Sequence, residues 1–330
     1  MAIVSKQDRV PDPPQSGRGA NLPLRKLTFQ AMATQCEVQY SAPGGDDQAK
    51  RFETAAEGWV HAFEAKYSRF QPNSLVSRIN DAAGKEWVSI DPETESLLKM
   101  CDTLYFMTRG ILDPSALPLI RIWNWKAKPP VIPSAADVAA ALKLVGWPKV
   151  RREPGRVFLP VAGMALDFGG FGKEYAVDIV SLIAKDHGIL DSLVDFGHDI
   201  RAAGAPPGRP AWHIGLEDPK APGKTWASIG LSGKSIASSG DYIRSFTVAG
   251  KRYGHIIDPR NGMPVSNGCQ QATVIADTCL QAGMLSTSAF VGGIEAGLEL
   301  IRSCPGAEGI LITEKEKAQS RGFYNYVATT

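Results

Sequence analysis

The chain has 330 residues, 44% apolar and 21% charged, with a formal net charge of +2. These values fit one large or two ordinary folded domains and exclude a wholly disordered chain. No block of like charge suggests nucleic acid or a membrane surface as partner, and no apolar run reaches the roughly 18 residues of a membrane span.

Residues 1–24 are rich in Pro, Gly, Arg and Gln and read as a mobile tail ahead of a domain over 25–330. The tail has no hydrophobic run or small-residue cleavage site, so nothing in it directs export. A first strand is expected at Thr34–Ser41. A helix follows, with Phe52, Ala55, Trp59, Phe63 and Tyr67 at three- and four-residue steps. The stretch Tyr67-Ser68-Arg69-Phe70 to Asn80 mixes aromatic, guanidinium and hydroxyl groups. It suits stacking on a ring system, or it is a polar loop. A second helix from Pro92 carries Leu97, Leu98, Cys101, Leu104 and Tyr105 and stops before Gly110. Ile111-Leu112-Asp113-Pro114 then forms an Asp-Pro turn ahead of Trp123 and Trp125. Ser134 is a helix N-cap for the stripe Val138, Ala141, Leu142, Val145.

In the second half, strands are expected at 164–168, 192–196, 212–216, 245–248, 254–257, 272–275 and 309–313. Helices are expected at 173–187 and 278–291, the latter continuing past Gly292-Gly293 to Cys304. The pattern is a mixed α/β or α+β body, not a regular βαβ series. Five cysteines without CxxC spacing read as reduced thiols of a cytoplasmic protein.

Four places carry chemistry. Asp167-Phe168-Gly169-Gly170-Phe171-Gly172-Lys173 leads from a strand through three glycines into a helix. Backbone N–H groups there can approach a ligand closely, and the helix N-terminus attracts anions. Lys173 in the first turn opposes the macrodipole, a conflict that a bound phosphate removes. The other reading is a tight turn with a solvated lysine. Ser238-Ser239-Gly240-Asp241-Tyr242 is a hydroxyl-rich turn, for a phosphate or ribityl chain or a plain loop. His255 opens a short apolar strand that Asp258 closes into the turn Pro259-Arg260-Asn261-Gly262. That pairing suits acid/base work, or it is a hairpin with an ordinary histidine. His198 stands alone at a strand end.

Taken in order, these segments resemble the ApbE family of flavin transferases over about residues 30–315. Met32-Ala33-Thr34, Ser68-Arg69-Phe70 with Ser77-Arg78-Ile79-Asn80, and Leu112-Asp113-Pro114 with Pro118-Leu119 carry the resemblance. So do Asp167 to Asp178, Ser239-Gly240-Asp241-Tyr242 and His255-Ile256-Ile257-Asp258-Pro259. The resemblance implies a single α+β domain of two related α/β halves with FAD in the cleft between them. It implies FAD contacts at Met32, Phe70, Ile111, Leu112, Asp113, Asp167, Lys173 and Ile257, with Ser239 and Tyr242 beside them. A Mg²⁺ then bridges the pyrophosphate, and a Thr or Ser hydroxyl of an acceptor protein takes FMN while AMP leaves. His255 and Lys173 would serve that chemistry, with Asp258 orienting His255. One departure is sharp: the family's Ala-Asp-x-x-x-Thr reads Ala282-Gly283-Met284-Leu285-Ser286-Thr287 here. Only neutral oxygens, from Gly170, Ser286 and Thr287, remain for the metal, and His198 stands in a Gly-Gly-Asp position. The alternatives are a non-catalytic FAD-binding protein of this fold, or an FAD pyrophosphate hydrolase.

Overall fold

The computed structural model describes residues 22–124, 126–241 and 244–328. Its frame is one eight-stranded sheet, every strand antiparallel to its neighbours and lying in chain order. The strands are β1 (Leu24–Ala31), β2 (Thr34–Ser41), β3 (Ser192–Phe196), β4 (Asp199–Ala203), β5 (Lys234–Gly240), β6 (Cys269–Ala276), β7 (Glu308–Thr313) and β8 (Lys317–Gln319). The expected first strand is the second. β1 is an edge strand with Arg25 and Lys26 among its apolar positions, and such charges protect an edge while diluting its apolar signal. The tail is described only at residues 22–24, and Leu24 already belongs to β1.

The helices are α1 (Gly45–Tyr67), α2 (Leu75–Asp81), α3 (Pro92–Met107), α4 (Leu117–Ile122), α5 (Ala135–Lys143), α6 (Gly172–Asp186) and α7 (Cys279–Ser303). Two strands, a helical layer and two strands occur twice: β1–β2 and β3–β4 enclose α1 to α6, and β5–β6 and β7–β8 enclose α7. The two halves share one sheet. They meet at β4–β5, a ladder of three pairs, Ile200↔Ile236, Arg201↔Ser235 and Ala202↔Lys234.

α7 is really two arms. Gly293 leaves the helix at φ 76°, ψ −174°, and the arms pack so closely that a Cβ on Gly297 would lie 2.8 Å from the Ala289 carbonyl oxygen. Among the described residues α7 alone has the length and apolarity of a membrane span. It is instead folded back on β5, β6 and β7, with Phe290 and Ile301 wholly buried. The core on the helical side of the sheet joins Leu98, Leu166, Phe290 and Leu311. A ribbon of strands Trp212–Asp218 and Ala221–Leu231 covers Ile200, Ile236, Ile310 and Ile312 in a separate cluster.

Three local expectations change. Residues 164–168 form no strand: Asn80 serves as their partner, its Nδ2 donating to the Leu166 carbonyl at 3.0 Å and its Oδ1 accepting from the Leu166 N–H at 2.6 Å. The polar stretch before Asn80 contains α2, N-capped by Ser74, which accepts from the Ser77 N–H at 3.0 Å. His255 does not open a strand; it sits at a bend between the short strands Lys251–Gly254 and Ile257–Asp258.

Candidate active site at the seam

The start of α6 lies where the two halves meet. Its N-cap residue, Phe171, offers no side-chain acceptor, so the first-turn N–H groups lack a side-chain cap. Around it the glycines leave room: the nearest neighbour a Cβ on Gly170 would find is Leu112, at 4.0 Å. A Cβ on Gly172 would find the Met32 methyl at 3.7 Å. Lys173 is half-buried and its ammonium pairs with Asp199 at the start of β4. Burial works against that charge, but the carboxylates of Glu174 and Asp199 outweigh it and raise the lysine above its ordinary range.

On the next position of α6, Glu174 turns inward. It is 8% exposed and its Oε2 has no hydrogen-bond partner. Burial, followed by the nearby Asp199, pushes this carboxyl up to about 8. The side chain lies on Gly283 of α7: a Cβ there would stand 2.6 Å from Glu174 Cγ and 2.8 Å from its Oε1. The space that Gly283 was expected to leave empty is therefore filled by a carboxylate from the other helix. One turn along α6, Asp178 caps α7, accepting from the N–H groups of Cys279 and Leu280 at 2.9 and 3.0 Å and pairing with Arg201 at 2.6 Å. One turn along α7, Ser239 of β5 is within 2.9 Å of the hydroxyls of both Ser286 and Thr287. Among the described residues no trio of His, Cys, Asp or Glu is gathered around a metal position.

A second group adjoins the glycine turn. Arg69 reaches Asp167 at 3.1 Å and lies 4.2 Å over the ring of Phe70, which is 75% exposed. Asp167 accepts from the Gly169 N–H at 3.1 Å and donates its own N–H to the Pro114 carbonyl at 2.8 Å, joining the two loops. Leu112 is buried and Ile111 half-buried beside it. The Asp113 carboxylate builds the expected turn. Oδ1 accepts from the Ser115 N–H and hydroxyl at 2.8 and 2.6 Å, and Oδ2 from the Trp147 N–H at 3.1 Å. Burial raises this carboxyl above its ordinary range.

The third group is the turn after His255. Ile257 packs on Leu119, Ala141 and Val145, and the Trp123 indole donates to the Gly262 carbonyl at 2.7 Å. A cavity of about 340 Å³ lies between Asp113, Val145, Pro259 and Arg260. Asp258 does not orient His255. Its carboxylate accepts from the Arg260 side chain at 2.9 and 2.7 Å and from the Arg260 N–H at 3.0 Å. His255 Nδ1 lies 3.2 Å from the Arg244 carbonyl oxygen, and burial together with the Arg244 charge lowers the imidazole below its ordinary value. His198 is on a left-handed backbone (φ 73°) with its ring 90% exposed, and its neighbour Asp199 is the group that meets Lys173. Tyr242 lies outside the described residues.

Asp199 and Glu174 are the residues that sequence reasoning passed over. For Glu174 a signal existed: steps of three and four place it on the buried stripe Val177, Ser181, Ala184 of α6, where an acid is out of place.

Fold and site together define a class: α+β proteins with an uncapped helix start, a paired lysine and a row of hydroxyls at the junction of two sheet halves. The chain matches the ApbE family over residues 32–311 and belongs to it. Its relatives include a protein of Vibrio cholerae named FAD:protein FMN transferase, 28% identical over 275 residues and 82% of each chain. One of the same name from Klebsiella pneumoniae is 30% identical over 244 residues, 73% of this chain and 75% of that one. Among solved structures, the ApbE protein of Thermotoga maritima superposes with a TM-score of 0.84 at 29% identity, covering 93% of this chain and 100% of that one.

Proposed function

We propose that the chain is an FAD:protein FMN transferase. The observation that carries this reading is the uncapped, glycine-flanked start of α6 with Lys173 beside it, at the seam of an ApbE fold. Backbone N–H groups at a helix start favour a phosphate, and the lysine adds a cation. The exposed Phe70 with Arg69, the 111–113 loop and Ile257 suit the flat flavin and its chain. In this reading, Asp199 yields part of Lys173 to the pyrophosphate when FAD binds.

The reaction is one displacement. The oxygen of an acceptor Thr or Ser attacks the phosphorus on the FMN side of FAD. The bond from that phosphorus to the bridging oxygen breaks, and AMP leaves with the bridging oxygen. The hydroxyl proton passes to His255, which burial keeps neutral at pH 7 and able to accept it. Phosphoryl transfer needs positioning and charge neutralisation more than covalent help, and Lys173 and the α6 start supply both. A bound Mg²⁺ would add neutralisation of the pyrophosphate. Thr287, the Ser286 and Gly170 carbonyl oxygens and the phosphates themselves would be its oxygen donors. Five free cysteines agree with a cytoplasmic acceptor.

Incubation with FAD, Mg²⁺ and threonine-bearing acceptor domains tests the reading. AMP release with flavin covalently on the acceptor is the expected result. FAD bound without AMP release makes the protein a carrier, and AMP with free FMN makes it a hydrolase.

A further inference from the structure

We infer that Glu174 is the protein's carboxylate ligand for a divalent cation, a role supplied from α6 because α7 presents only Gly283 at the same spot. The inference rests on the transferase reading, which places a metal on the pyrophosphate at this seam.

Three observations carry it. Glu174 is a buried acid with an unpartnered oxygen. Such an atom costs free energy unless something satisfies it, and Lys173, the adjacent cation, is turned to Asp199. The second is steric. Glu174 Cγ, Oε1 and Cδ lie 2.6, 2.8 and 3.0 Å from where a Cβ on residue 283 would be. A side chain at 283 and Glu174 in this pose exclude each other, so the glycine is a requirement of the acid's position. The third is register. α6 and α7 run antiparallel: Asp178 meets Cys279 and Leu280, and Glu174 meets Gly283. One turn further along α7 are Ser286 and Thr287, whose hydroxyls gather on Ser239. Glu174 thus sits between the Asp178 cap and a cluster of neutral oxygens. One carboxylate, neutral oxygens and substrate phosphates form the donor set that a hard, partly hydrated divalent ion accepts.

The arrangement also changes what substitutions at 283 do. Gly283→Asp adds no ligand to an empty place; it drives a second carboxylate into the first. The matched exchange is the double variant Glu174→Gly/Gly283→Asp, which carries the acid back to α7 with a similar charge and volume.

The test is Mn²⁺ binding, read by electron paramagnetic resonance on FAD-saturated protein without acceptor, with folding checked by circular dichroism. Glu174→Gln keeps the size and removes the charge. It should weaken Mn²⁺ by about tenfold or more while FAD affinity without metal stays close to wild type. The double variant should recover most of the lost Mn²⁺ affinity. Wild-type Mn²⁺ affinity in Glu174→Gln overturns the inference and leaves Glu174 as a protonated packing residue. Absence of Mn²⁺ binding in the wild type overturns it too. AMP release by the wild type is measured separately, so the transferase reading can stand when this one falls. Should the double variant fail to fold, the Glu174→Gln titration decides alone.

Discussion

Met32 and Ala33 form the two-residue turn of the β1–β2 hairpin with φ 52° and 58°, a conformation that suits glycine or asparagine better than either. Ala33→Gly should therefore stabilise the protein by about 0.5–1 kcal/mol, the left-handed penalty less the extra chain entropy of glycine. Urea unfolding checks it. Lys173 is held by carboxylates on two elements. Lys173→Met leaves Asp199 and Glu174 without their shared cation and should cost about 2–3 kcal/mol, less than a fully buried pair because the ammonium keeps some water. The same variant should lose FAD affinity in a fluorescence titration. His255 has a folded value depressed by burial. Its neutral form is the folded form's preference, so the stability it contributes is full above the unfolded value of about 6.5 and is lost as pH falls from there through the folded value. Transfer activity should rise with pH to a plateau, with a midpoint below about 6.5 that disappears in His255→Ala.

Among the elements, the helical stripes were the legible part. Phe52, Phe63 and Tyr67 of α1 and Leu97, Leu98 and Cys101 of α3 all point inward, and Ser134 is the expected N-cap, with Asp137 completing a capping box. Residues 164–168 misled because an apolar run shows burial and not the identity of its hydrogen-bond partner, here the amide of Asn80. At the site, the sequence pattern brought Lys173 and Ser239 into view, and the family resemblance brought Thr287. It could not show that Asp113 and Asp258 are taken up by Trp147 and Arg260. The first contact spans 34 residues and the second closes within a single turn, and no helical or strand period reports either. Gly292-Gly293 was correctly a break in α7, but its reversal into a packed hairpin depends on Gly297. Gly297→Ala would put a methyl 2.8 Å from the Ala289 carbonyl oxygen and 2.9 Å from Leu311 Cδ2. It should destabilise by about 1–3 kcal/mol in chemical denaturation, the usual cost of overpacking.

At the scale of the whole molecule, the sheet order follows the chain order, so each strand finds its partner by going next door, across helices where necessary. That simplicity hides the seam from a linear reading: α6 and α7 are distant in the chain, and only the fold lays Glu174 on Gly283. In the proposed reading FAD is held by groups of α6 and β5 that only the fold brings together, so it binds the native state alone. FAD at about 100 times its dissociation constant should add about 2.7 kcal/mol to unfolding, read as a rise in melting temperature that Lys173→Met reduces.

The β4–β5 join has three rungs, against six for β5–β6. Few backbone pairs hold the sheet there, and α6 and α7 pack over the join. Whatever settles across the join acts as a splint, so amide exchange along 200–202 and 234–236 should slow most when it arrives.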